Sequence, residues 1–298
     1  GFPVEVPGVT VNRLCGSSLQ ATIQATQAMR DGWGEVMIAG GSESMSRAPL
    51  VMMTKPTAPF RPGLPEMADT TLGWRLVNPQ WHDHYRSLGM GETAEEVAER
   101  WSVGREDQDA FALESHRRAV AAIDEGRLEA QLVPLEAPQD PRGRSSQWVD
   151  VDEGPRRDAS LEAMAKLRPV FREGGTVTAG NASQMNDGAS ALLLATGDAV
   201  ERLGLEPMAR ILTGAVAGVH PDIMGTGPIP ATRKALERAG LGIDDIGLVE
   251  LNEAFASQAI VCRDELGFDP SIVNVNGDRK STRLNSSHVR TSRMPSSA

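Results

Sequence analysis

Apolar and polar positions along the chain switch between two periods, one of two residues and one close to 3.6. Residues 17–30 (SSLQATIQATQAMR) repeat with the helical period and have Ser17 or Ser18 available as a cap. Before them, residues 9–14 (VTVNRL) predict a short strand. After them, residues 35–41 (EVMIAGG) form a continuous apolar run ending in two glycines, the pattern of a buried strand that leads into a functional loop. Strand, helix and strand in this order predict a βαβ unit with a parallel pair and a right-handed crossover.

The stretch from 48 to 183 has a different texture. Prolines and glycines punctuate 56–79, amphipathic helical patterns cover 92–101 and 106–125, and MAKLRPVF leads into a glycine-rich loop. It predicts a long excursion laid over an α/β scaffold, and excursions of this length usually carry function. The α/β pattern then resumes. Residues 189–196 predict a strand and GDAVERLGL a helix closed by Gly204. ARILTGAVAG predicts a further strand, and IPATRKALERAGL a helix with Pro230 near its start and Gly240 past its end. Residues 246–251 and SIVNVNG predict two last strands around the helix ASQAIVCRDELG. The early order strand, Cys15, helix, strand is echoed late as strand, Asn252-Glu253, helix, strand. A duplicated fold with its site between similar halves is expected.

Composition narrows the function. With 298 residues, 40% of them hydrophobic, the chain can bury a substantial core in two or three lobes. A net charge of −10 argues against a nucleic-acid surface, and no apolar run is long enough to span a bilayer. The two cysteines make no disulfide framework, which favours a reducing compartment. Residues 278–298 (DRKSTRLNSSHVRTSRMPSSA) break the pattern, with six serines, five basic residues and one acid, and are expected to be foreign or disordered.

Chemistry concentrates at two junctions. Cys15 stands where a strand gives way to a helix, where unpaired amides and the helix dipole favour a thiolate; a structural thiol fits the same position. Asn252 and Glu253 stand at the end of a strand, well placed for a site in an open α/β sheet, while Asn252 could equally be a helix cap. The loop TVTAGNASQMNDGAS could approach a ligand through its backbone and Ser183. Cys262, mid-helix among Ile260, Val261 and Leu266, reads as core packing. His82 and His84 lack the further ligands of a metal site, and His220-Pro221 reads as a surface turn. P-loop, dinucleotide GxGxxG and GxSxG motifs are absent from the sequence.

Seven blocks, VNRLCGSSLQA, MIAGGSESMSRAP, MGETAEEVAERW, TVTAGNASQMNDGA, MGTGPIPATRKALERAG, LVELNEAFASQA and SIVNVNG, occur in an order that resembles the thiolases, the acetyl-CoA acyltransferases, over residues 1–277. The resemblance implies an α/β fold of duplicated βαβαβ halves in a layered α/β/α/β/α arrangement with an inserted loop domain. Its parts would be an N-terminal domain at 1–48 and 184–203, a loop domain at 49–183 and a C-terminal domain at 204–277. It implies that Cys15 takes the acyl group of a 3-ketoacyl-CoA or of acetyl-CoA, its backbone N–H contributing to the oxyanion hole. Asn252 would position a water at the enolate. Ser183, Ala179 and Ala182 would line the pantetheine groove, Phe171 and Phe255 would flank it, and Arg156 would lie near the nucleotide end. CoA and acyl-CoA would be substrates, with no cofactor and no metal. The resemblance further implies a homodimer or homotetramer in the cytoplasm, with no nucleic-acid or membrane partner.

Departures from the family pattern carry their own expectations. The family's Gly-His-Pro block, which supplies the base for the thiol, and its later Cys-x-Gly block, which supplies a second cysteine, do not follow NVNG in this sequence. The chain as written is therefore expected to be inactive, and a non-catalytic acyl-CoA or lipid-binding protein is the alternative. Gly89 stands where some members carry a histidine, which leaves CoA contacts there in question.

Overall fold

The computed structural model describes residues 1–52, 67–140 and 144–277, so the expectations for 278–298 lie outside the described residues. In chain order the regular elements are α1 (Ser17–Arg30), β1 (Val36–Glu43), β2 (Leu50–Met52), β3 (Met67–Asp69), α2 (Met90–Arg100), α3 (Arg105–Asp124), β4 (Leu135–Pro138), β5 (Ser146–Val149), α4 (Leu161–Ala165), β6 (Gly188–Ala195), α5 (Gly197–Leu203), α6 (Pro228–Ala239) and α7 (Ala256–Leu266). The helices end where local chemistry dictates. Gly204, Gly240 and Gly267 adopt the left-handed conformation that closes α5, α6 and α7, and Pro228, two residues before the expected Pro230, occupies the start of α6.

Strand pairing departs from expectation. β1 pairs antiparallel with β6, from Val36 opposite Ala195 to Glu43 opposite Gly188, and not with a parallel neighbour across α1. The whole stretch 44–187 is therefore an insertion between two hydrogen-bonded strands. β2 with β3 and β4 with β5 form two further antiparallel pairs inside it. β1 is also more open than a buried strand: Ala39 is buried, while Ile38 is 51% exposed.

The segment 9–14 makes no ladder, because no strand among the described residues offers it complementary N–H and C=O groups; Val9 is 86% exposed. Leu14 then turns the chain with φ 49°, and a short 3₁₀ turn, Leu14–Gly16, leads into α1. The helix is capped by Gly16, not by Ser17 or Ser18. Ser17 turns its hydroxyl backwards, accepting from the Arg13 N–H at 2.9 Å and donating to the Leu14 carbonyl at 2.7 Å.

Side chains replace two other expected ladders. Along 209–218 the Arg30 guanidinium donates to the Leu212 carbonyl at 2.8 Å, and Arg238 donates to the Gly214 carbonyl at 2.8 Å. Between 246–251 and 271–277 a single parallel bridge forms at Val249 and Val273. There Asn274 mimics a strand. Its Oδ1 accepts from the Leu251 N–H and its Nδ2 donates to the Leu251 carbonyl, each at 2.7 Å.

The core lies where α2, α6 and α7 meet. Val97, Ile229, Val261, Cys262, Leu266, Phe268 and Val273 form its buried cluster. A second cluster of Ala94, Val177, Ala182 and Phe255 joins α2 to the glycine-rich loop and to the start of α7. The loop is fixed by a buried carboxylate. Glu95, on α2, accepts from the Thr176 N–H at 2.9 Å, from the Val177 N–H at 2.8 Å and from the Thr176 hydroxyl at 3.1 Å. Gly175 admits this approach, since a Cβ there would collide with the Glu95 carboxyl group. Beside it, Asn181 donates to Asp109 at 2.9 Å and to the Thr176 carbonyl at 3.0 Å.

Removing the Glu95 carboxylate leaves buried donors without an acceptor, which costs roughly 3 kcal/mol. Glu95→Ala is expected to lower the urea-unfolding free energy by that amount. A change under about 1 kcal/mol, within the range of exposed ion pairs, would show that the loop does not depend on this clamp.

Candidate functional site

Two segments distant in sequence exchange backbone hydrogen bonds at the site. The Ser183 N–H donates to the Ala254 carbonyl at 2.8 Å, the Ala256 N–H donates to the Asn181 carbonyl at 3.0 Å, and Ala182 bridges Phe255 antiparallel. This brings Ser183 and Ala182 of the glycine-rich loop against the NEAF turn that carries Asn252. α7 starts after Phe255, whose N–H meets Gln258 Oε1 at 3.4 Å, so Asn252 is not the helix cap. Gln258 Nε2 donates to the Asn252 carbonyl at 3.3 Å. The Asn252 side-chain oxygen is buried with no hydrogen-bond partner. An unpartnered buried amide oxygen is costly, and a bound polar group or water repays that cost.

An aromatic wall flanks the junction. The Phe171 ring meets Phe255 edge-on, 6.0 Å between centroids at 84°. Phe171 sits directly on Gly91 in the first turn of α2, where any Cβ would run into the ring. Phe171 is exposed and Phe255 buried, so the pair offers one accessible apolar face beside Ser183. Ala179 is exposed at the turn preceding Asn181, on the same loop.

Arg156 stands apart from this wall. Its backbone N–H donates to His116 Nδ1 on α3 at 3.0 Å, and its exposed side chain edges a cavity of about 280 Å³ with Arg117, Arg157 and Asp124.

Cys15 lies in the 3₁₀ turn ahead of α1 and is partly buried. Burial pushes its thiol above the ordinary value, and the Glu43 carboxylate at the end of β1 pushes in the same direction; a hydrogen bond from its own backbone opposes them. Desolvation and Glu43 thus work against the thiolate that the helix terminus was expected to favour. The turn after Glu43 is tied to the start of β6. Asp187 accepts from the Ser46 N–H at 2.9 Å, the Ser46 hydroxyl at 2.5 Å and the Ser44 hydroxyl at 3.2 Å. Cys15 is within electrostatic reach of Glu43 at the end of β1, and Asp187, just ahead of β6, stands four residues from Ser183.

Other candidates take structural places. Cys262 is fully buried, donates to the Gly225 carbonyl at 3.3 Å, and has its thiol pushed up to about 12 by burial. His82 and His84 lie in an exposed stretch, with His84 beside Tyr85. His220 caps the 3₁₀ turn Pro221–Thr226. Glu253, beside Asn252, is buried and accepts from Ser115 at 2.6 Å and from Asn274 at 2.7 Å, a tie between α3 and the 271–277 segment. The larger cavity, about 540 Å³, lies behind that tie, between Trp101, Phe111, Arg118 and Arg263, away from the aromatic wall.

Comparison with known proteins adds the following. Residues 1–198 match the family model of the thiolase N-terminal domain, and residues 205–280 that of the thiolase C-terminal domain. A β-ketoadipyl-CoA thiolase of Pseudomonas aeruginosa is 51% identical over 280 residues, covering 93% of this chain and 68% of the relative. An acetyl-CoA acetyltransferase of the same organism is 46% identical over 277 residues, with the same shares. Among solved structures, the Bacillus anthracis acetyl-CoA acetyltransferase superposes with a TM-score of 0.83 at 40% identity, over 95% of this chain and 69% of that one. Human mitochondrial 3-ketoacyl-CoA thiolase gives 0.83 at 38% identity, over 96% and 70%.

The raised thiol has a direct readout. Iodoacetamide modification of Cys15 is expected to accelerate with pH through a midpoint above that of a free cysteine. Glu43→Gln removes a negative charge that disfavours the thiolate, so the midpoint is expected to fall. Mass mapping at each pH separates Cys15 from the slower Cys262; an unchanged or higher midpoint in the variant would contradict the placement of Glu43.

Proposed function

The chain belongs to the thiolase family, the α/β acyltransferases, and from that premise we propose that Cys15 is its acyl-accepting nucleophile and Asn252 its partner at the reacting carbonyl. The single observation that carries the site is the unpartnered, buried Asn252 side-chain oxygen beside the paired junction of 181–183 with 254–256.

In this reading a 3-ketoacyl-CoA, or acetyl-CoA in the condensing direction, lays its pantetheine arm along Ala179, Ala182 and Ser183. Phe171 and Phe255 flank the arm, and Arg156 lies at the nucleotide end, where its guanidinium suits a phosphate or an adenine face. The Cys15 thiol gives its proton to solvent, and the thiolate sulfur attacks the 3-keto carbonyl. The bond between C2 and C3 breaks, the acyl group stays on sulfur as a thioester, and the electron pair leaves as the enolate of acetyl-CoA, whose carbon then takes a proton from water. The Cys15 N–H supports the oxyanion of the tetrahedral intermediate. Asn252 accepts a hydrogen bond from a water that in turn donates to the enolate oxygen. A second CoA thiol then takes the acyl group from Cys15.

The thiol's raised proton affinity makes its deprotonation the demanding step at neutral pH. CoA and acyl-CoA act as substrates in this reading, and the chemistry calls for neither a metal nor a resident cofactor. The domain assignment is of the same kind: 49–183 as the domain covering the site, 1–48 with 184–203 and 204–277 as the halves beneath it. The pairing of β1 with β6 around the insertion supports it. A homodimer or homotetramer and a cytoplasmic location complete the reading; no helix among the described residues is long and apolar enough to cross a membrane.

The test is the first half-reaction. On incubation with acetyl-CoA above neutral pH, intact-mass analysis is expected to show one added acetyl group, mapped to Cys15 and absent from Cys15→Ala. Asn252→Ala is expected to keep the thiol reactive to iodoacetamide and to slow single-turnover acetylation of Cys15 by acetoacetyl-CoA, followed by intact mass above neutral pH, by about 100-fold, the effect of losing one fixed polar contact to developing charge. Acetyl found on Cys262, or on no cysteine, would overturn the assignment.

A further inference from the structure

We propose that Asn274 is the positioning residue for Asn252, an inference that rests on the reading of Asn252 as the partner at the reacting carbonyl. Asn252 stands where regular structure has run out. The segment before it keeps one parallel bridge, Val249 to Val273, and α7 starts only at Ala256. A side chain on such a stretch keeps one direction only if its backbone is held from outside, because each unheld residue retains its choice of φ and ψ. Two side-chain amides hold it here. Asn274 Oδ1 accepts from the Leu251 N–H and Asn274 Nδ2 donates to the Leu251 carbonyl, each at 2.7 Å. Gln258 Nε2 donates to the Asn252 carbonyl at 3.3 Å. The peptide planes on both sides of the Asn252 Cα are therefore fixed, the first by Asn274 and the second by Gln258. Asn274 Nδ2 also donates to Glu253 Oε1 at 2.7 Å, so one amide grips the residues before and after Asn252.

The clamp is itself rigid and specific to its residue type. Asn274 is 2% exposed; its N–H donates to the Val249 carbonyl and its own carbonyl accepts from the Gly277 N–H, each at 2.8 Å. Its φ of 48° lies in the left-handed region, which asparagine enters more readily than most residues with a side chain. The side chain uses its Oδ1 and both Nδ2 hydrogens, a set of one acceptor and two donors that an aspartate cannot supply. Glu253 carries the restraint on to α3, since its other oxygen accepts from the Ser115 hydroxyl at 2.6 Å. In the middle of this frame the Asn252 side-chain oxygen is buried and unpartnered. On a loose backbone an open buried acceptor turns towards whatever donor is near. Held in place, it keeps its lone pairs for the water at the reacting carbonyl and needs no reorganisation when charge develops there.

A double-mutant cycle on the full chain tests the inference, read as single-turnover acetylation of Cys15 by acetoacetyl-CoA above neutral pH and followed by intact mass. Asn274→Gly keeps the freedom to adopt a positive φ and removes the amide. It is expected to slow the maximal rate by about 10-fold, while the half-saturating acetoacetyl-CoA concentration and the iodoacetamide rate of Cys15 each stay within about 2-fold. In an Asn252→Ala background the same change is expected to cost less than about 2-fold, because a residue that acts through Asn252 has nothing left to position. Glu253→Gln keeps the shape and weakens the tie to Asn274; it is expected to slow the rate by about 3-fold, again only when Asn252 is present, and it decides the question if the glycine variant does not fold. Equal slowing with and without Asn252 would overturn the inference while Asn252 itself stands. So would an unchanged rate in Asn274→Gly or, where that variant is unfolded, in Glu253→Gln. Absence of acetylation in the unaltered chain, or an unchanged rate in Asn252→Ala, would overturn the reading of the site and this inference with it.

Discussion

The site depends on one short backbone pairing. Residues 181–183 and 254–256 exchange two N–H···O=C bonds across a long sequence separation, and the middle of the candidate groove hangs from that exchange. Ala182 and Ser183 are in it, Phe255 faces Ala182 across it, and Asn252 precedes it by two residues. Such a junction holds only if both segments are rigid when they meet, because the entropy of closing so long a loop is otherwise unrecovered. Each segment is therefore pinned separately: 176–181 by Glu95, Gln108 and Asp109, and 252–258 by Gln258 and by the Glu253 tie to Ser115 and Asn274.

Buried polar side chains do in this fold what longer strands do in a regular sheet. Asn274 supplies both a donor and an acceptor to Leu251, and Arg30 and Arg238 satisfy carbonyls along 209–218. The arrangement secures backbone groups without extending the ladders. It also explains why the chain tolerates a strand such as β1 with so little of its surface covered: β6 and α1 hold it on two sides, and the Asp187–Ser46 contacts fix its far end.

Helices were more legible in the sequence than strands, for a physical reason. The boundaries of α2, α3, α5, α6 and α7 follow from a local period and from glycine and proline at the ends, and all five lie within two residues of expectation. Strand pairing is non-local, so an apolar run such as 35–41 reveals neither its partner nor its direction, and the expected parallel neighbour proved to be antiparallel β6. The junctions bearing Cys15 and Asn252 were visible because a polar residue between apolar runs stands out. Ala179, Ala182, Phe171 and Arg156 came only from resemblance, since small and aromatic residues in a loop carry no spacing of their own. Glu95 escaped notice. In ETAEEVAER it looks like its neighbours Glu96 and Glu99, and only the loop packed above it shows which carboxylate is buried. The burial that raises the Cys15 thiol is not written in the helix-terminus pattern.

The proposed assignment puts acyl-CoA chemistry at the paired junction and its aromatic wall, and not in the cavity of about 540 Å³ between α3 and α7. Amide hydrogen exchange of the chain with and without CoA tests this most directly. Slowed exchange in 176–183 and 252–258 is expected on adding CoA, with the lining of the 540 Å³ cavity at 101–118 and 263–274 unchanged. Protection confined to the cavity lining, with the junction unaffected, would contradict it.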